Sequence, residues 1–302
     1  MKVGLYSITY LGLWYRGQAL TLPEFFVRAL KYGYDGVEID GKRPHGNPLD
    51  WPKDRCKELR TLADDLGLEI FSVAANNDFS SPIPEFREAQ IAYIRELLRM
   101  TSDLGVKTVR MFLAWPGVTR HPQIGKYSIA RGLWQTTHEP FTDEETWNWC
   151  REGMIESAGY AVDAGVILAL QNHAPVINDH HDVLRMVREV DSPNLKVCLD
   201  VPIMPDKKPE SIRRAAFDVG DLQILSHFGG EYKREADGSI AGEPFYPVFI
   251  EAMKEIGYKG YMSYELCHPL PEVDGQTVGV EYADQCAELA CQYMRGLIEG
   301  ET

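Results

Sequence analysis

The sequence predicts an α/β chain folded as a single (β/α)8 (TIM) barrel, and three observations lead there. One pattern recurs: a helix-like run ends at Gly and a β-rich run follows within a few residues, as in KYGYDGVEI, DLGLEIFSV, DLGVKTVRM, DAGVILAL, DVGDLQIL and EIGYKGYMSY. Gly closes a helix in the left-handed conformation, so each copy reads as a helix end feeding a strand. With MKVGLYSITY and LKVCLD added, eight strands alternate with helical segments, which implies parallel pairing through right-handed crossovers. Eight units in 302 residues fit a closed barrel. An open doubly wound sheet would carry a glycine-rich phosphate turn after its first strand, where this chain has SITYLGLWYRG.

In chain order, strands are expected at 2–9, 36–40, 69–75, 108–114, 166–171, 195–200, 222–227 and 260–265, with helices between them. Pro23 and Pro84 stand near helix starts, where a missing N–H costs nothing. From Glu85 to Gly105, Phe86, Ile91, Ile94, Leu97 and Leu98 recur at helical spacing and mark a core-facing stripe. No Pro- or Ser-rich linker divides the chain, so residues 1–302 read as one domain. Pro116 to Thr142 is too long for an ordinary strand-to-helix connection. It is expected to be a long loop on the face where the strands end, serving as a lid or a partner surface.

The composition, 44% hydrophobic and 25% charged, is globular. No segment is apolar enough to span a bilayer, and the N-terminus has no signal-peptide pattern. Cys56, Cys150, Cys198, Cys267, Cys286 and Cys291 form no CxxC pair, which favours reduced thiols and a cytoplasmic location. A net charge of −14 disfavours nucleic acid as a partner.

Three strands end on a potential metal ligand: VCLD on Asp200, ILSH on His227 and MSYE on Glu265. Parallel strands bring such tips to one edge of the barrel, where they can converge on one ion. An oxygen-rich set with one imidazole suits Mn²⁺ or Mg²⁺ foremost, then Co²⁺ or Zn²⁺. Strand five ends in LALQNH, offering Gln171 and His173. Gln171 can give its amide oxygen to a metal but cannot take a proton; if the fourth ligand must be anionic, Glu139 is the alternative. His138, in TTHEP, is the candidate base. His45, Tyr10, Trp115 and His173 are candidate substrate contacts, the aromatic planes being suited to stacking on a sugar or aryl group. Lys107 and Lys196 fall at strand beginnings, which argues against Schiff-base chemistry, and neither GxSxG nor a Walker sequence is present.

The order Asp, His, Glu on strands six to eight resembles the xylose-isomerase-like barrels, which include sugar isomerases and epimerases, inosose dehydratases and a DNA-repair nuclease branch. Family members usually carry glutamate where this chain has Gln171. GLYSITYLGLWYRG, DGVEIDGKRPHGNP and QTTHEPFTDEE look more narrowly like the larger, catalytic subunit of bacterial C-glycoside deglycosidases. That resemblance implies a Mn²⁺-dependent lyase that cleaves the carbon–carbon bond between a 3-oxo sugar and an aromatic aglycone, paired with a small β-rich second subunit. His138 would be its base, and Asp200, His227 and Glu265 its ligands. A sugar or inosose isomerase, epimerase or dehydratase is the alternative. All of these reactions begin by removing a proton from a carbon beside a carbonyl.

Overall fold

In the computed structural model, which describes residues 1–120 and 123–300, eight parallel strands close into a barrel. They are β1 (Lys2–Tyr6), β2 (Gly36–Asp40), β3 (Glu69–Ala74), β4 (Thr108–Met111), β5 (Ile167–Gln171), β6 (Leu195–Cys198), β7 (Gln223–Gly229) and β8 (Tyr261–Glu265). Each pairs with the next, and β8 closes against β1. Around them run α1 (Leu22–Lys31), α2 (Lys53–Asp65), α3 (Pro84–Asp103), α4 (Tyr127–His138), α5 (Asp143–Ala164), α6 (His180–Val190), α7 (Pro209–Val219), α8 (Phe245–Glu255) and α9 (Val280–Glu299). Among the described residues no helix is long and apolar enough to cross a membrane, and all six cysteines are unpaired.

The glycine repeat does what its spacing implies. Gly33, Gly67, Gly105, Gly165 and Gly257 hold φ between 65° and 84°, the left-handed turn that sends each helix back to the barrel. Helix starts are fixed separately. Thr21 with Glu24 and Thr142 with Glu145 form capping boxes on α1 and α5.

Three expected strands stop two or more residues early: β6 ends at Cys198, leaving Asp200 just past it, and the other two, β1 and β4, have visible causes. β1 gives way after Tyr6 to a 3₁₀ turn over Ser7–Tyr10, because the Ser7 hydroxyl accepts from Asp40 N–H at 2.8 Å. β4 stops at Met111 because the Asn77 side-chain amide takes over the pairing. Its Nδ2 donates to Phe112 O at 2.8 Å, and its Oδ1 accepts from Phe112 N–H at 3.2 Å.

The stretch 116–142 is not a bare loop. It holds a two-residue antiparallel pairing of Thr119–Arg120 with Gly125–Lys126, followed by α4; residues 121 and 122 lie outside the described residues. Tyr127, Ala130, Trp134 and His138 recur at helical spacing, a periodicity hidden among polar neighbours. The insertion leans across the mouth of the barrel. Gly125 N–H donates to Leu13 O at 2.7 Å, the Tyr127 hydroxyl to Cys267 O and Arg120 to Gly12 O.

The floor of the barrel is apolar. Phe71, Ala169, Cys198, Leu225 and Tyr261 form one buried cluster, with the Phe71 and Tyr261 rings stacked at 3.8 Å. A register shift between β2 and β3 passes over Phe71, pairing Val37 with Ile70 and Glu38 with Ser72. Such a bulge re-aims neighbouring side chains. Phe71 then fills the floor while Ser72 turns to Glu38 above it. Gly36 makes the room, since a Cβ there would stand 2.8 Å from Tyr261 Oη and 3.1 Å from Phe71 Cδ1. Gly36→Val is therefore expected to overpack the floor and cost about 1–3 kcal/mol of unfolding free energy, measured by urea denaturation; an unchanged midpoint would contradict this packing.

Candidate metal centre

Immediately above the floor the barrel interior turns polar. Side chains alternate along each strand, so Glu38 and Asp40 on β2, Arg110 on β4, Gln171 on β5, and Ser263 and Glu265 on β8 share the interior with Asp200 and His227. Asp200 N–H is fixed by Asn172 Oδ1 at 2.7 Å. Its Oδ1 accepts from His227 N–H at 2.6 Å.

The His227 ring lies between two carboxylates, with Nδ1 2.9 Å from Asp200 Oδ2 and Nε2 2.8 Å from Glu38 Oε2. Glu38 also accepts from Ser263 Oγ at 2.9 Å and from Ser72 Oγ at 3.1 Å. Gln171 Nε2 donates to Asp200 and stands 3.3 Å from His227 Nδ1. Arg110 Nη2 donates to the Tyr6 hydroxyl at 2.8 Å, and that hydroxyl donates to Asp40 Oδ2 at 2.9 Å. Lys42 Nζ is 3.6 Å from Asp40 at the rim.

The electrostatics follow from crowding carboxylates where water is scarce. Burial opposes charge on His227, but Asp200 and Glu38 overcome it and push the pKa well above the usual range. Burial works against Glu38 and Asp200 as well, yet the imidazole brings both below the ordinary carboxylate range. Glu265 behaves differently: burial pushes its pKa up, with Asp200 and Glu38 adding to the rise.

These residues fit a divalent cation. Gln171 Oε1 is buried and has no hydrogen-bond partner; an unmatched buried acceptor is costly, and a cation would satisfy it. With Nε2–H directed to Glu38, Nδ1 of His227 would turn its lone pair towards Asp200 and Gln171 once its own proton, held by Asp200 Oδ2, is displaced. That is the carboxylate–histidine pairing that orients metal-binding imidazoles. Asp200, His227 and Cys198 each place one ligand atom within 4.8 Å of the others. Glu265 stands outside this tight group, facing a cavity of about 490 Å³ lined by Ile203, Lys207, Gly229, Tyr246, Glu265 and His268.

The other sequence candidates divide in two. Trp115 and His173 meet at the mouth with Phe112 and Tyr127. Trp115 stacks on Phe112 at 5.0 Å, and His173 lies edge-on to both at 4.8 and 5.1 Å. Burial, with Arg110 and Arg131 nearby, brings His173 down to about 4.

Four residues stand elsewhere. Tyr10 is a strut, fully buried and donating to Asp284 of α9 at 2.9 Å. His45 is buried beside α1, its Nε2 2.9 Å from Leu20 O and its ring stacked with Phe25. His138 ends α4 stacked on Trp134, and both ring nitrogens face backbone carbonyls, Trp134 O at 2.7 Å and Ser80 O at 2.8 Å. Glu139 caps the same helix and is exposed, so Gln171, not Glu139, joins the cluster. His138 and Glu139 line a different cavity, of about 600 Å³, with Trp147, Asp182 and Arg185. The structure does not bring His138 or Glu139 to the cluster, because the long stretch folds as a helix whose last turn packs against Ser80.

Glu38 and Arg110 were missed. The signal was there, in a Glu and an Arg set within apolar strand runs, GVEID and TVRM, where a charge is costly unless paired.

A family model described as xylose isomerase-like TIM barrel matches residues 26–286. Fructoselysine 3-epimerase of Escherichia coli O157:H7 is 23% identical over 278 residues, spanning 88% of this chain and 90% of that protein. Among solved structures, D-psicose 3-epimerase of Clostridium cellulolyticum H10 superposes with a TM-score of 0.73 at 22% identity over 99% of both chains. A 3-keto-D-glucoside 4-epimerase of E. coli gives 0.67 at 21% over 96% and 99%. The IOLI protein with a bound zinc atom gives 0.69 at 19% over 100% and 99%. At these identities the superpositions speak for the fold.

Because the raised pKa keeps His227 protonated near neutrality, an ion binding at Nδ1 must displace that proton. Affinity for Mn²⁺ or Zn²⁺ is therefore expected to fall as pH falls from 8 to 6, with proton release visible by calorimetry in buffers of different ionisation heat; a flat pH profile would contradict the arrangement. Glu38→Gln keeps the shape but loses the carboxylate, and is expected to weaken metal binding by roughly 10–100-fold in the same titration.

Proposed function

The chain belongs to the xylose isomerase-like TIM barrel family, and on that premise we propose that it is a metal-dependent sugar isomerase or epimerase. It would remove a proton from the carbon beside a substrate carbonyl. The observation that carries this reading is the buried group of Asp200, His227 and Gln171 at the strand ends, with the partly buried Glu265 beside it lining a cavity. The epimerase names of its relatives point the same way.

Gln171, Asp200, His227 and Glu265 are the residues to hold the ion, with Mn²⁺ the first expectation from the oxygen-rich set. When bound, a divalent cation supplies Lewis acidity at the substrate's carbonyl side. Glu265 takes the proton: it is the carboxylate of the group that lines the cavity where a substrate would stand. His138 is not assigned this part, since both its nitrogens already face carbonyls. Trp115, Phe112 and His173 form the wall against which a sugar ring or aryl group stacks.

Gln171 favours a second reading. An epimerase that returns a proton to the opposite face needs a second acid, and an amide at the tip of β5 cannot serve. Elimination needs none there. In a 3-oxo C-glycoside, loss of the C2 proton drives the electron pair into a C1–C2 double bond. The bond from C1 to the aglycone then breaks, and the aglycone carbon takes up a proton. The small β-rich second subunit expected from the sequence belongs to this reading.

One experiment separates the two. The protein, loaded with Mn²⁺, is incubated in deuterated water with ketohexoses, 3-oxo-glucose and a 3-oxo C-glycoside, and followed by NMR. Deuterium incorporation or an epimerised sugar supports the first reading; release of free aglycone supports the second; neither, with metal bound, overturns both. Glu265→Gln is expected to lower the rate by roughly 10²-fold or more, with metal content measured alongside to separate the base from the ligand.

A further inference from the structure

The geometry points to Cys198 as a sulfur ligand of this metal centre, which shifts the site from the Mn²⁺ that its oxygen donors alone favour towards Zn²⁺ or Co²⁺. The inference rests on the metal reading above and deepens it. Cys198 precedes Asp200 by two residues on the β6 line, so strand alternation points both side chains into the barrel. Its Sγ lies 3.4 Å from Asp200 Oδ1 and 3.6 Å from His227 Nδ1, spacings at which separate atoms can share one ion. One ligand atom from each of these residues falls within 4.8 Å of the others.

A second observation concerns the neighbouring side chain. Gln171 Oε1, 3% exposed in residue terms and without a hydrogen-bond partner, belongs to the side chain that bonds Asp200 and reaches His227 Nδ1. Three donors of differing softness (thiol, imidazole and carboxylate) thus meet at one place, with the Gln171 amide beside them. Sulfur shifts such a set towards the softer end of the divalent series. On binding, the thiol proton passes to solvent as the metal–sulfur bond forms, with no change of oxidation state. The plainer role of Cys198 is as an apolar filler of the floor, where it packs with Ala169 and Leu225, and the test separates the two roles.

The full chain is stripped with a chelator and titrated with Co²⁺ alone, recording stoichiometry by calorimetry and the near-ultraviolet sulfur-to-cobalt charge-transfer band. Wild type is expected to bind Co²⁺ and show the band. Cys198→Ser is expected to bind Co²⁺ without it and to lose roughly tenfold or more of the Zn²⁺-over-Mn²⁺ preference. Cys267→Ser, which alters a thiol lining the cavity beside Glu265, keeps the band. X-ray absorption on the Zn²⁺-loaded wild type needs no variant, and a sulfur scatterer at about 2.3 Å is expected. Co²⁺ bound with neither band nor sulfur scatterer overturns sulfur ligation and leaves the metal centre standing. Failure to bind any Co²⁺ overturns both.

Discussion

Glu38 and Asp200 grip the two ring nitrogens of His227 at 2.8 and 2.9 Å, and the rest of the strand-end architecture answers to that contact. Carboxylates taken out of water are expensive unless each is paired and hydrogen-bonded. Ser72 and Ser263 bond Glu38, His227 N–H and Gln171 bond Asp200, and Arg110 with Tyr6 bonds the Asp40 side. Even so, the four carboxylates of Glu38, Asp40, Asp200 and Glu265 outnumber Arg110, Lys42 and the protonated His227, and the excess grows when an ion takes the place of the imidazole proton. The surplus negative charge is the physical reason to expect a divalent cation at this end of the barrel.

The apolar floor makes that polar layer possible. Stacked Phe71 and Tyr261, admitted by Gly36 and by the bulge in β3, close the barrel beneath the charges. Above, the insertion carrying α4 reaches the β1 and β8 loops through Gly125 and Tyr127 and roofs the mouth. Charge, floor and roof together turn an ordinary barrel end into a place where a small polar molecule meets concentrated, poorly hydrated carboxylates.

How much of this the sequence disclosed depended on whether a residue's signal was local. Helix-closing glycines and alternating strands are written in short windows, so all eight strands and their order were readable. Asp200, His227 and Glu265 were visible as strand-end residues for the same reason. Helix α4 was not: its apolar positions Tyr127, Ala130 and Trp134 are diluted by polar neighbours, and without the helix His138 and Glu139 looked free to face a substrate. Glu38 and Arg110 were hidden for the opposite reason. Their meaning lies in partners on other strands, Glu38 with His227 across 189 positions and Arg110 with Tyr6 across 104, and no window of sequence contains such a pair. Tyr10 and His45 show that an aromatic or imidazole near a strand end is as readily a strut as a contact.

The same reasoning gives Gln171 its weight. An amide where a carboxylate could stand lowers the negative charge of the cluster, keeps an oxygen for a cation and removes a proton acceptor, so it narrows the chemistry without dismantling the site. The central claim is that a cation sits between Asp200, His227 and Gln171. Anomalous diffraction from crystals soaked in Mn²⁺ or Zn²⁺ tests it most directly. The account predicts one strong peak with Asp200 and His227 Nδ1 at roughly 2.0–2.3 Å. A barrel mouth without a peak, or an ion found only at the surface group of His180, His181 and Asp218, would contradict it.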